Sequence, residues 1–329
     1  MVSKQSLLCV GSFAINDVVH ANGDTEMNVP AGNALYSTLG GLHTAPGVSV
    51  AAMVGQDWKN SALSSLEAMG ADCSLVRPHD GSSLRAWVVY ENSCDRRYLL
   101  RSPEIISLTP NPLAPPPRKE EATMFESVAR ELHSINCPRP NDIERLLSQF
   151  SGIHICPMPL DIVRQWVRSI RRTSDALISL DPPPISSDVH KLEEVLAEVD
   201  IFIPSEAEAN TMYPHLSPEA FLLKMRDMGI PQCVLKLGEQ GCIGFTDRTS
   251  DILRVPAYTD GETVDTTGAG DVFCGAFLGC YLKRKELREA MCKASAVASM
   301  YTESFDPFAA QQYSSSELAH RFATVSEAL

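Results

Sequence analysis

Asp265-Thr266-Thr267-Gly268-Ala269-Gly270-Asp271-Val272-Phe273-Cys274-Gly275-Ala276-Phe277 sets a turn of small residues and a carboxylate at the mouth of an apolar segment. From Val272 to Leu282 nearly every residue is apolar or small, which predicts a helix buried on most sides rather than along one stripe. The first N–H groups of a helix have no partner within it and stand at the positive end of its dipole. Gly268, Ala269 and Gly270 bring such donors against an anion without side-chain obstruction. A transferring phosphoryl group requires donors of this kind, because its transition state spreads charge over three oxygens. It also requires a group that takes the proton from the attacking hydroxyl, and Asp271 is the candidate. The plain alternative is a glycine-rich turn before a core helix, with Asp271 a first-turn acid favoured by the dipole.

On either side of this turn, apolar runs of strand length alternate with helical patterns, the sign of a parallel sheet covered by helices on both faces. The expected core strands are Leu7-Ile15, Val48-Met53, Gly152-Cys156, Ala176-Leu180, Ile201-Ile203 and Cys233-Leu237. The expected helices include Ala34-Leu42, Lys59-Met69, Ile143-Phe150, Ile162-Arg171, Pro218-Met228 and Arg288-Tyr301. One segment breaks the rhythm. Leu84-Glu91 alternates and is rich in Val, Trp and Tyr, Asn92 to Asp95 is turn-like, and Arg97-Leu100 is again apolar and aromatic, which reads as a hairpin. It is expected to pair with Val18-Pro30 as a small sheet standing off the main body. Five prolines between Thr109 and Arg118 predict a surface loop without an assigned role.

In open parallel sheets ligands bind beyond the carboxyl ends of the strands. Three such ends carry useful chemistry: Asp181 after Ile178-Leu180, Ser205-Glu206-Ala207-Glu208 after Ile201-Ile203, and Lys236 to Gly241 at the end of the Cys233 run. Each has a structural alternative. Asp181 caps a turn before Pro182, Ser205 and Glu208 form a capping box, Lys236 snorkels at a strand edge, and Gly238 and Gly241 serve tight turns.

The run from Asp265 through Leu278 resembles the signature of the ribokinase-like (PfkB) carbohydrate kinase family. The resemblance implies an α/β fold with a central, mostly parallel sheet, helices on both faces, and a small β-sheet lid. It would make residues 1-329 one kinase domain with lid segments at about 17-31 and 83-101. It also implies ATP-dependent phosphorylation of a sugar or sugar-like hydroxyl, with Asp271 as general base and Gly268, Ala269 and Gly270 as the anion hole. Ser205, Lys236, Gly238, Gly241, Thr266 and Thr267 would lie along the nucleotide. Relatives usually carry Asn-x-x-Glu where this chain has Ser205 to Glu208, so Glu208 is carried over as a magnesium ligand through water and Ser205 is a departure. Asp265 with Thr267 would bind a monovalent cation, potassium.

At the other end, Gly11 to Asp17 resembles the family's first strand, which ends in a sugar-binding Asp where Asn16 stands here. Either the Asn16 amide replaces that carboxylate or Asp17 takes the role. Gly32 and Asn33 follow as further acceptor ligands, with Ala31 in place of a glycine. These departures leave two other readings open: a nucleoside kinase, or a non-catalytic member that binds nucleotide or a partner protein.

A chain of 329 residues with 44% hydrophobic and 21% charged residues is an ordinary globular protein able to bury a large core. Its formal charge of −13 opposes sequence-independent binding to nucleic acid or an anionic membrane. The 10 cysteines include no C-x-x-C pair and read as small buried hydrophobes. With no membrane-length apolar run and no convincing leader, the expected setting is a reducing cytosol. The lid's strand edge is a place where a second copy would pair. Walker, dinucleotide, zinc and G-x-S-x-G motifs are all missing.

Overall fold

The computed structural model describes residues 6–90, 96–100, 130–183, 189–246 and 251–328. Strands β1 (Ser6–Val10), β4 (Gly47–Val54), β5 (Ala71–Pro78), β8 (Gly152–Ile155), β9 (Leu177–Leu180), β10 (Ile201–Phe202), β11 (Gln232–Lys236), β12 (Cys242–Thr246) and β13 (Leu253–Val255) make one sheet in the order β13-β12-β11-β10-β9-β8-β1-β4-β5. From β5 to β11 all pairings are parallel, and β12 and β13 close the edge antiparallel. A second sheet, in the order β3-β2-β6-β7, is built from β2 (Ala14–Val19), β3 (Thr25–Ala31), β6 (Leu84–Tyr90) and β7 (Arg96–Leu100). This is the expected small sheet, with the β6–β7 hairpin antiparallel and β6 parallel to β2.

Continuous apolar strands need cover on both sides, and the helices supply it in two sets. One core joins α1 (Asn33–Leu42), α2 (Asn60–Ala68), α7 (Ala269–Arg284), α8 (Leu287–Met300) and α9 (Ser315–Glu327) to one face of the large sheet. The other joins α3 (Leu160–Thr173), α4 (Val189–Leu196), α5 (Glu206–Met212) and α6 (Pro218–Asp227) to the opposite face. As its sequence requires, α7 is buried from Val272 through Leu282 without interruption.

Two expected elements differ. Leu7-Ile15 is not one strand: β1 ends at Val10, the chain turns through Gly11 to Phe13, and Ala14 starts β2 in the small sheet. The apolar run hides the break because both halves are buried. Ile143-Phe150 forms 3₁₀ turns over Pro140–Asp142 and Glu144–Gln149, separated at Ile143, whose φ of −129° is not helical. The proline-rich loop at 109–118 and the turn at 92–95 lie outside the described residues.

Candidate active site

The mouth of α7 is Gly268, with φ 75°. A side chain there would meet both a left-handed backbone and the ring of Tyr36 on α1, so the position accepts only glycine. Val272 N–H closes the first turn onto the Gly268 carbonyl at 2.8 Å. Among the described residues the N–H groups of Gly268, Gly270 and Asp271 make no backbone hydrogen bond. The Ala269 N–H, expected among the free donors, turns back instead toward the Thr266 carbonyl at 3.3 Å.

Close contacts climb α1 and α7 together: Gly268 meets Tyr36, Gly40 meets Val272, Gly275 meets Ser37 and Gly279 meets Thr44. The two helices therefore run parallel, and both N-termini open at the same end as the carboxyl ends of the strands. Gly32 and Asn33, which start α1, are thereby brought to the end where Gly268 to Asp271 stand. The φ of 112° at Gly32, and a Ser12 carbonyl 2.5 Å from where a Cβ would lie, hold that corner to glycine.

Asp271 sits on this first turn, half-buried, and its carboxylate makes no hydrogen bond or ion pair among the described residues. Burial pushes its carboxyl up to about 6, with the Lys236 ammonium pulling down and Glu208 pushing further up. That ammonium is not at a strand edge in solvent. Lys236 donates to Asp181 Oδ2 at 2.8 Å, with the two side chains 12% and 5% exposed, and lies 3.4 Å from Cys274 Sγ. Burial opposes the charge on Lys236, but the carboxylates of Asp181 and Glu208 and the Cys274 sulfur outweigh it and hold the group well above the usual lysine value. Asp181 itself is pushed up to about 7 by burial, against the pull of Lys236.

Ser205 and Glu208 form a complete capping box on α5. Ser205 N–H and Oγ both donate to Glu208 Oε2, at 2.6 and 2.7 Å, and Glu208 N–H donates back to Ser205 Oγ at 3.3 Å. An isolated bridge from Ser205 to Lys236 keeps this turn beside β11. Gly238 and Gly241 flank the turn between β11 and β12, and nothing stands within 4 Å of where a Gly238 side chain would begin.

Alternation along β2 separates the two acceptor candidates. Asn16 shares a face with Val18, whose cluster with Val88, Tyr90 and Phe305 joins the small sheet to the main body. Its Oδ1 is buried without a partner among the described residues. Asp17 points to the other face, where Arg85 grips it through two nitrogens at 2.6 and 2.7 Å and Asn28 N–H donates at 2.9 Å. Asp17 thus ties the small sheet together. The Asn33 side chain accepts from Ser12 N–H at 2.9 Å and donates to the Pro157 carbonyl at 2.7 Å, clamping the turn between β1 and β2.

Asp265 accepts from Thr267 N–H at 2.8 Å and, through the same oxygen, from the hydroxyl of Tyr90 at the end of β6. Thr267 Oγ1 is buried without a partner, and Thr266 is exposed. Tyr90 and Cys274 were not legible as site residues, the first being one aromatic in an alternating strand and the second one small residue in a buried helix. Asp181 was legible only as a carboxylate at a strand end.

No group of three His, Cys, Asp or Glu side chains that would cage a metal occurs among the described residues. His154 hydrogen-bonds Ser179 at 2.9 Å in the buried sheet, and burial with the nearby Lys236 charge drives it down to about 3, so it is neutral. A single outer carboxylate, Glu208, does suit magnesium, which keeps several waters and is held largely by substrate phosphates. A cavity of about 370 Å³ lined by Phe150, Arg171, Arg172 and Ser174 opens at the amino ends of β8 and β9, away from these groups. Its arginines are already paired, Arg171 with Asp200 and Arg172 with Glu144.

An open parallel sheet with a small sheet over its carboxyl edge, and a free helix N-terminus at that edge, define the ribokinase fold. The structure titled a putative ribokinase II from E. coli in complex with ATP and Mg²⁺ superposes with a TM-score of 0.72 and 20% identity over 97% of this chain and 99% of that one. Residues 142–309 match the model of the pfkB family carbohydrate kinases, and the chain belongs to that family. An uncharacterized sugar kinase of Archaeoglobus fulgidus is 29% identical over 183 residues, 55% of this chain and 68% of its own length. A nucleoside kinase of Methanothermobacter thermautotrophicus is 31% identical over 137 residues, 40% of this chain and 41% of its own. The first alignment leaves about a third of that relative unmatched, and the second more than half. No helix among the described residues is long and apolar enough to cross a membrane.

Proposed function

We propose that residues 1-329 form one ATP-dependent kinase that phosphorylates a hydroxyl of a sugar or sugar-like small molecule. The observation that carries this reading is the Asp271 carboxylate: it has no partner among the described residues, and it stands on the first turn of α7 beside the unbonded N–H groups of Gly268 and Gly270. The acceptor hydroxyl, held by Asn16 with Gly32 and Asn33, gives its proton to Asp271 as its oxygen attacks the terminal phosphoryl in line. Gly268 and Gly270, with the Asp271 N–H, stabilise the charge that develops. Lys236, Gly238, Gly241, Thr266 and Thr267 lie along the nucleotide phosphates. Magnesium, reached from Glu208 through water, would neutralise phosphate oxygens there. The similarity to a nucleoside kinase supports a nucleoside acceptor as the second reading. The described cysteines are free and buried, which supports a reducing compartment.

The test is release of ADP from ATP with magnesium over a panel of pentoses, hexoses, their acids and nucleosides, with and without potassium. Turnover on one acceptor, lowered about 10²- to 10⁴-fold by Asp271→Asn, is the expected result. Bound ATP with no turnover on any acceptor would overturn catalysis in favour of a binding role, and potassium independence would remove the cation from Asp265.

A further inference from the structure

We infer that Asp181 is a positioning residue: it holds the Lys236 ammonium against the first turn of α7 as counter-ion, in place of the anion that binds there, and releases it when that anion arrives. The inference rests on the nucleotide reading above and names a residue which that reading leaves without a role.

The starting point is a conflict of charge. A helix N-terminus carries about half a positive charge and repels a cation. Yet Lys236 Nζ lies 3.6 Å from where a Gly270 side chain would begin, on that N-terminus, with its side chain only 12% exposed. The free N–H groups of Gly268, Gly270 and Asp271 and the ammonium therefore converge on one place. Burying a cation against a positive helix end is unfavourable in the free protein unless a carboxylate offsets it, and Asp181 Oδ2 does so at 2.8 Å.

The pair is not a saturated structural network. Asp181 is 3% exposed, and its second oxygen, Oδ1, is buried without a partner among the described residues. Among the described residues, Oδ2 has beyond Lys236 only the weak Cys274 Sγ–H donor at 3.6 Å. A buried pair kept for stability alone is often replaced by apolar residues without loss. A half-satisfied carboxylate behind an ammonium that faces free N–H donors fits a different task. It keeps Lys236 ordered and charged while the site waits for phosphate, and it competes with that phosphate for the same ammonium.

Competition gives an unusual signature, because removing the competitor should tighten binding while loosening the geometry needed for turnover. Affinity for ATP with magnesium is measured by titration calorimetry on the full chain for the wild type, Asp181→Asn, and the Asp181→Asn/Lys236→Met double variant, which removes both charges and strands neither. Asp181→Asn is expected to bind ATP about three- to tenfold more tightly, and the double variant about tenfold or more weakly, than the wild type. Turnover of Asp181→Asn on an accepted substrate is expected to fall about tenfold. An Asp181→Asn variant that binds ATP as the wild type does, or more weakly, overturns this inference alone. A wild-type chain that binds no ATP overturns the nucleotide reading and this inference together.

Discussion

The function proposed above makes Asp271 the general base; such a group works best when its proton affinity is close to the working pH, and burial lifts the Asp271 carboxyl to about 6. The rate should therefore fall below pH 6 as Asp271 protonates, and a pH profile of kcat/KM should show that acid limb. Asp271→Asn should lower turnover by about 10²- to 10⁴-fold while leaving ATP affinity within severalfold, and should erase the limb. The same shift has a consequence for stability. A carboxyl whose folded value lies above its unfolded one opposes folding when ionised, so Asp271→Asn should raise the thermal midpoint above pH 6. That gain should fade between about 6 and 4, where the folded wild type protonates first. A midpoint for the variant that is unchanged at pH 8 would show that the carboxylate is not held in this environment. The place of Asp271 on the first turn of α7 was legible because the glycine turn and the apolar run after it fix where the helix starts. Lys236 was legible as a charge but not as half of a buried pair, since its partner Asp181 lies 55 residues away in sequence and only the sheet order brings β9 and β11 to either side of β10.

At the scale of elements, α7 keeps its site in place because α1 approaches it at backbone distance. A Cβ on Gly275 would fall inside the Ser37 carbonyl, and one on Gly40 inside the Val272 carbonyl next to Asp271. Gly275→Ala should therefore cost about 1–3 kcal/mol or more in denaturant unfolding, with turnover lost beyond what stability explains because α7 must shift. An equally stable variant would show that the helices have slack. The capping box on α5 makes a milder case. Ser205→Ala should cost about 1 kcal/mol, while Ser205→Asn, which caps a helix as well, should keep the wild-type midpoint; equal midpoints for the two variants would mean the cap contributes nothing. The long periodic elements were legible because burial and period agree. The misses have physical causes. In β5 only Ala71, Cys73 and Leu75 alternate inward before the pattern fades, and α9 begins among serines, where the Ser314 cap that accepts from Glu317 N–H is easily passed over as loop.

For the whole molecule, the question is how a small sheet standing off the body is tied to the turn that would handle the phosphoryl group. The tie is narrow. Val18, Val88 and Tyr90 pack on Phe305, with the Tyr90 and Phe305 rings 5.5 Å apart edge to face, and the Tyr90 hydroxyl reaches Asp265. Asp265 in turn holds Thr267 N–H, one residue before the Gly268 N–H, which makes no backbone hydrogen bond among the described residues. The small sheet and the turn before α7 therefore share one carboxylate oxygen. Sequence showed the lid strands by their alternation, but not this tie, because nothing local distinguishes Tyr90 from the aromatics around it. Tyr90→Phe keeps the ring on Phe305 and removes only the hydroxyl, whose bond to a carboxylate is worth about 1.5–3 kcal/mol. Without it, amide hydrogens of β2 and β6 should exchange about tenfold faster or more, the acceptor KM should rise by a similar factor, and ATP affinity should change little, since the nucleotide-side groups on β11 and α7 stay in place. Hydrogen exchange read by mass spectrometry decides the matter: protection of β2 and β6 equal to that of the wild type would mean that the apolar contacts alone hold the small sheet, and that the Tyr90 hydroxyl does not link it to the turn before α7.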